Sequence, residues 1–102
     1  MADLQQLFQL GQQVQGRLQQ LQTDLAGRTI EVSAGAGMVR GSADGRGMVR
    51  SVTITPEAFE GRDAELLGDL VLSAIAEAQR RAAELAQDEM RKVQPPPGFP
   101  SL

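Results

Sequence analysis

The chain reads as an α+β domain of order α-β-β-β-α, a three-stranded antiparallel meander set between two long helices. Three observations carry that reading. Leu4, Leu7, Val14, Leu18, Leu21 and Leu25, with Gly11 in the one empty slot, repeat at alternating intervals of three and four, the spacing of a narrow helical seam. Residues 29–55 switch to period two, interrupted by two glycine-containing turns. Beyond residue 63, helical spacing returns over a long Pro-free run.

The first helix is expected over residues 3–26, with Asp3 as N-cap and Gly27 at the C′ position. A seam this narrow packs along one partner helix, from the same chain or another. Gly11 and Gly16 each cost the helix about 1 kcal/mol relative to Ala, so they either admit a close backbone or let the N-terminal end fray. Strands are expected at 29–34, 38–43 and 47–55, joined by the Gly35-Ala36-Gly37 turn and by Asp44-Gly45, a strong hairpin signal. In the third strand, Met48, Arg50, Val52 and Ile54 should share one face, and Pro56 stops it. Residues 57–62 form a connector, with Phe59 expected as its core anchor. Asp63 then caps a second helix running to Val93. Its apolar positions include Leu66, Leu67, Leu70, Val71, Ala74, Ile75, Ala78, Ala82 and Leu85, with acidic residues early and Arg91-Lys92 late, as the helix dipole favours. Residues 1–94 make one domain. The tail, 95–102, is Pro-rich and is expected to be extended or disordered.

Composition removes most chemistry. The 102 residues include no His, Cys, Trp or Tyr and only three Phe. Thiol nucleophiles, disulfides, Cys/His metal sites and His-based acid–base catalysis are therefore absent from the menu. We expect no enzyme and no cofactor. No apolar run approaches the ~20 residues of a membrane span, and the first residues do not read as a signal peptide. The expected setting is the cytoplasm.

Three patterns invite a functional reading. The stretch from Gly35 to Gly41 is glycine-rich, but its spacing is not G-x-G-x-x-G and a strand follows it, so it reads as a hairpin turn and not a phosphate cradle. The i, i+4 pairs Glu65/Asp69 and Glu84/Asp88 lie on helix faces without a His, and read as solvated surface and not as a metal site. The basic residues are sparse and clustered: Arg80-Arg81, Arg91-Lys92, Arg40, Arg46 and Arg50, Arg17 and Arg28. All but one are Arg, which grips phosphate bidentately. Residue physics alone favours ordinary surface pairing with neighbours such as Glu77 and Glu84. The first helix's polar face is Gln, which suits a partner helix better than an anionic membrane.

The sequence Gly35-Ala36-Gly37-Met38-Val39-Arg40, then Val52-Thr53-Ile54-Thr55-Pro56, then Leu67-Gly68-Asp69-Leu70-Val71-Leu72-Ser73-Ala74, then Ala78-Gln79-Arg80-Arg81, resembles the YbaB/EbfC family of bacterial nucleoid-associated proteins, as do the Gln-rich opening helix and the Pro96-Pro97-Gly98-Phe99 tail. The resemblance covers essentially the whole chain. It implies a tweezers-like two-fold dimer that binds duplex DNA without catalysis and acts in nucleoid organisation or gene regulation. It carries Arg80 and Arg81 over directly as DNA-binding residues, Arg91 and Lys92 as a basic helix end, and Arg17 on the first helix. Arg28 joins this set from charge and position alone. Family members often have Lys-rich first helices where this chain has Gln. With a net charge of −3, few phosphates can be neutralised, so affinity and its salt dependence should be modest.

Two helices of the expected lengths would measure about 36 and 46 Å, more than a three-stranded sheet can cover. Their ends must project or meet another subunit, which argues for a two-fold dimer. Leu18, Leu21, Leu25, Val52, Ile54, Leu67, Leu70, Val71 and Ala74 are the expected dimer or helix-seam packing positions. The partners are thus duplex DNA and a second copy, with no membrane and no small-molecule substrate. The rival reading is a protein–protein adaptor working through the heptad helix and the Pro-rich tail.

Overall fold

A computed structural model of the chain describes residues 3–92. The expectation for the Pro-rich tail lies outside the described residues. The elements run α1 (Leu4–Ala26), β1 (Thr29–Ala34), β2 (Val39–Asp44), β3 (Val49–Ile54), α2 (Glu57–Glu60) and α3 (Ala64–Arg91). The α+β order is the expected one. The three strands form one antiparallel sheet in the order β1-β2-β3.

Side-chain caps open both long helices. Asp3 accepts from the Gln5 amide at 3.4 Å and Asp63 from the Leu66 amide at 3.0 Å, each satisfying a first-turn donor that has no helical partner. Gly27 ends α1 at φ −85°, not in the left-handed region. Its amide donates to the Thr23 and Asp24 carbonyls, and Arg28 falls just outside the helix. The Gly35–Gly37 turn does need left-handed backbone, with φ of +60°, +56° and +89° across Gly35, Ala36 and Gly37.

The core lies between one sheet face and α3. Val32, Val39, Ala43, Ala74 and Ala78 are buried, and Ile30, Ala34, Ile54, Leu67, Leu70 and Val71 pack around them. Alternation places Ile30, Val32 and Ala34 of β1 beside Ala43, Gly41 and Val39 of β2. Small residues at the contact bring the helix close: a Cβ on Gly41 would meet Ala74 Cβ at 3.8 Å. The other sheet face, with Glu31, Ser33, Arg40, Ser51 and Thr53, is polar and exposed.

Two expectations need correction. β3 carries a bulge: Ser42 pairs with Ser51, but Ala43 pairs with Val49, leaving Arg50 as the extra residue. The bulge breaks the simple alternation, so Met48 and Arg50 do not share a buried face with Val52 and Ile54. Met48 is exposed, and Arg50 turns to Asp44 at 2.9 Å. Phe59 is not a core anchor. It lies on the short helix α2 and is 57% exposed, because no element among the described residues reaches over that helix to cover it. Val52 faces the α3 side but stays 38% exposed, because α3 lies over β1 and β2 and leaves the β3 margin open.

The molecule is long and thin, 71 × 20 × 16 Å. Helices of 23 and 28 residues span about 34 and 42 Å, and they overlap only at their C-terminal ends. Leu25 shares a cleft with Ala82 and Ala86, Leu21 shares one with Glu89, and Arg17 shares one with Lys92. Numbers fall along one helix as they rise along the other, so the two run antiparallel. The joint is fixed by the β2–β3 hairpin. The Gly45 amide donates to the Leu25 carbonyl at 2.8 Å, and a Cβ on Gly45 would sit 2.6 Å from that oxygen. Beyond Arg17 the heptad seam continues without α3. Leu18 and Val14 are half-buried, whereas Leu7, Phe8 and Leu4 are exposed.

Candidate nucleic-acid interface

The exposed charge of α3 is organised as a stripe. Glu77, Arg80, Arg81, Glu84, Asp88 and Arg91 recur at intervals that keep them on one face. That face runs beside β1, since the Arg81 guanidinium reaches the Glu31 carbonyl oxygen at 3.4 Å. The opposite flank faces the hairpin, where Gln79 donates to the Gly47 carbonyl at 3.4 Å.

Glu77 is the hub of the stripe. It accepts from Arg80 at 2.6 and 3.0 Å and from Arg81 at 3.0 Å, while Arg80 also grips Glu84. The bond from Arg80, then that from Arg81, lowers the Glu77 carboxyl from 4.5 to about 2. Arg80 is raised in return, chiefly by Glu77. One turn from the end, Arg91 pairs with Asp88 at 3.3 Å.

A second cluster lies at the α1–α3 joint. Glu89 accepts from Lys92 at 3.1 Å and faces Arg28 at 3.5 Å, and Arg17 and Lys92 line one shallow pocket with Asp24 and Glu89. The six sequence-derived positions therefore fall into two groups. Arg80 and Arg81 lie mid-helix, and Arg17, Arg28, Arg91 and Lys92 lie toward the joint. The eleven-residue step from Arg80 to Arg91 separates the groups by about 17 Å along the helix. Arg28, Arg80, Arg81, Arg91 and Lys92 all hold carboxylates. These are exposed pairs of the kind worth at most about 1 kcal/mol, so an incoming phosphate can replace the carboxylate at little cost.

Sequence reasoning named Arg40 and Arg46 but missed Arg62, the unpaired state of all three among the described residues, and the role of Asp44. Arg40, Arg46 and Arg62 make no ion pair among the described residues. They lie on strand and turn positions, so no acidic residue sits a helical turn away. Asp44, 4% exposed, is the hairpin's internal acceptor. One oxygen takes the Arg46 and Met48 amides at 2.9 and 3.0 Å, and the other takes Arg50 at 2.9 Å. The Met48 amide is the largest cause of its lowered pKa, with Arg46 and Arg50 helping and burial opposing. The Asp-Gly dipeptide was the available signal for this role.

Among the described residues, no group of acidic side chains is placed to hold a metal, and no helix is long and apolar enough to cross a membrane. The described surface of α3 thus displays exposed arginines in ion pairs along a long helix. The chain belongs to the YbaB/EbfC DNA-binding family, whose sequence profile matches residues 1–96. A protein of Ruminiclostridium cellulolyticum named a nucleoid-associated protein is 41% identical over 91 residues, covering 89% of this chain and 79% of its own length. A nucleoid-associated protein of Gluconacetobacter diazotrophicus is 40% identical over 93 residues, 91% of this chain and 87% of that one. Another, from Chloroflexus aurantiacus, is 41% identical over 86 residues, 84% and 86% of the two chains. The crystal structure of the uncharacterized protein HP0035 from Helicobacter pylori shares the fold, with a TM-score of 0.82 at 21% identity, covering 90% of this chain and 97% of that one.

Proposed function

We propose that this chain is a nucleoid-associated protein that binds duplex DNA as a homodimer, mainly through phosphate contacts. The observation that carries the reading is the exposed arginine stripe of α3 in a chain of a DNA-binding family. Binding exchanges carboxylates for phosphates. One of Arg80 and Arg81 leaves Glu77 while the other stays on it, and Lys92 and Arg28 leave Glu89, each released cation gaining a bidentate or point-charge contact to the backbone of the duplex. Only Phe residues provide aromatic faces, so base stacking contributes little and sequence preference is weak.

Dimerisation doubles this sparse set of cations. The surface that suits a second copy is the open β3 margin, where Val52 is 38% and Leu72 66% exposed. Leu72 lies seven residues before Gln79 and hence on the hairpin-side flank of α3, away from the arginine stripe. Pairing there leaves both stripes accessible.

Titrating the purified protein against a long duplex at low and moderate salt tests the reading. A shift at low salt that weakens as salt rises supports it, and no shift from a folded dimer overturns it. Arg80→Ala with Arg81→Ala should weaken binding and leave helix content and mass unchanged. A second reading, the protein–protein adaptor, is favoured by the exposed Leu4, Leu7 and Phe8. Stable capture of one foreign protein without duplex binding would establish it in place of the first.

A further inference from the structure

We propose that the N-terminal half of α1 pairs antiparallel with the same segment of a second copy, the Leu7 of each chain seated on the partner's Gly11. The contact stands on α1 alone. Only its consequence, the joining of DNA-bound copies to one another, rests on the function proposed above.

The seam of α1 is one continuous face, and α3 covers only its C-terminal part. Leu21 and Leu25 are 7% and 3% exposed, whereas Leu7 is 48%, Phe8 69% and Leu4 71% exposed. The uncovered part is therefore a continuation of an interface already formed with a helix. In heptad terms Leu4 and Gly11 occupy one seam position and Leu7 and Val14 the other, and antiparallel helices stack the first kind against the second.

Setting Leu4 on the partner's Leu7 overlaps only the first turns of the two helices, and registers deeper than Leu4 on the partner's Leu21 run further into α3; two registers remain. One sets Leu7 against the partner's Leu18 and Leu4 against the partner's Leu21, but α3 already occupies Leu21. The other sets Leu7 against the partner's Gly11 and Leu4 against the partner's Val14, and it stays clear of α3, whose end lies beside Arg17. In this second register large residues meet small ones. A Cβ on Gly11 would find nothing within 4 Å in the single chain, so the glycine leaves room for a leucine from outside. Phe8 flanks the seam beside the partner's Phe8. Asp3 falls near the partner's Arg17, an opposite-charge contact made twice by the two-fold symmetry.

Parallel pairing lacks these matches, since it would place Gly11 on the partner's Gly11 and Asp3 on the partner's Asp3. Nothing electrostatic opposes the close approach, because residues 4–16 carry no charge at all. The exposed apolar surface of three side chains falls well short of the ~800 Å² per partner buried in a stable complex. The contact is therefore weak in dilute solution and fills when copies are held close together.

The chain has no cysteine, so every cysteine in the test is an introduced one. Chains carrying Leu7→Cys and Gly11→Cys are mixed without DNA, oxidised gently, and their linked peptides weighed. The expected result is a 7-to-11 disulfide at least tenfold more abundant than any formed by Gln9→Cys, which lies on the far side of the helix. Leu4→Cys mixed with Val14→Cys should behave likewise and serves if Gly11→Cys loses helix. In sedimentation, Leu7→Glu with Phe8→Glu should abolish association beyond the β3-margin dimer at high protein concentration while helix content is retained. A Gly11→Cys self-link exceeding the mixed one would mean parallel pairing and overturn the proposal. So would equal linking through Gln9→Cys, or no linking together with a mass independent of concentration. Because no DNA is present, these outcomes are read separately from the duplex titration.

Discussion

Replacing Glu77 by Gln should tighten DNA binding. In the free protein this carboxylate takes three hydrogen bonds from Arg80 and Arg81 and so withholds two guanidiniums from phosphate. Gln is nearly isosteric but uncharged, so the guanidiniums lose their ionic partner. Arg81 is then held by the Glu31 carbonyl and at most by a neutral bond to the Gln oxygen, whereas Arg80 keeps Glu84. About one further phosphate per chain becomes available, or about two per dimer. Each adds about 0.9 to the slope of log affinity against log salt, so the dimer's slope should steepen by about 1.8. Over a fourfold fall in salt that amounts to roughly tenfold more gain in affinity than the unaltered protein shows. Fluorescence anisotropy on a labelled duplex, at several salt concentrations between about 50 and 200 mM, measures both quantities. Unchanged or weaker binding, with a flat slope and intact helix content, would place the stripe outside the interface. Mild acid will not imitate the substitution, because Glu77 titrates at about 2 and not at 4.5. Its clamp is fully present above 4.5 and is released only as the pH falls from there toward 2.

Further expectations concern the frame that carries the stripe. Gly45→Ala puts a Cβ 2.6 Å from the Leu25 carbonyl oxygen and 3.1 Å from Leu25 Cα, both backbone atoms. It should cost about 1–3 kcal/mol and lower the thermal midpoint by roughly 4 °C or more, and an unchanged midpoint would mean that the joint yields freely. Ala74→Leu, at a fully buried site against Gly41, should cost a similar 1–3 kcal/mol by forcing α3 off the sheet, read by urea unfolding. Asp44→Asn weakens the acceptor of the Met48 and Arg46 amides and of Arg50. Because its pKa is lowered on folding, the native protein should lose this contribution as the pH falls through the acid range, and Asp44→Asn should flatten that part of the stability–pH curve.

Much of this was readable in the chain because it is local. The heptad in α1, the Asp caps, the Asp-Gly hairpin, and the spacing of Glu77, Arg80, Arg81 and Glu84 each depend on residues within a few positions. The parts that escaped depend on distant ones. The heptad announces a partner helix but not how far along the seam that partner reaches, which is settled by Gly45 meeting Leu25. Phe59 is apolar, and no local pattern tells that nothing among the described residues covers it. The bulge at Arg50 inserts one residue into an otherwise regular alternation, and Arg50 keeps its place through Asp44, across the hairpin. Arg28 and Glu89, 61 residues apart, meet only because two helices cross antiparallel. The pairing of Arg80 and Arg81 with Glu77 was foreseeable, whereas the second cluster around Glu89 was not.

The joint between Leu25 and Gly45 has a mechanical consequence. From there α1 extends about 34 Å as a single rod, and α3 covers only its C-terminal part among the described residues. A rod so long, fixed at one end, magnifies angle into distance. A tilt of about 10° at the hairpin moves the far tip by roughly 6 Å, more than one helical turn's rise. The short Gly45–Met48 turn that follows β2 therefore sets where the outermost leucines stand, and with them the span over which one copy can reach another.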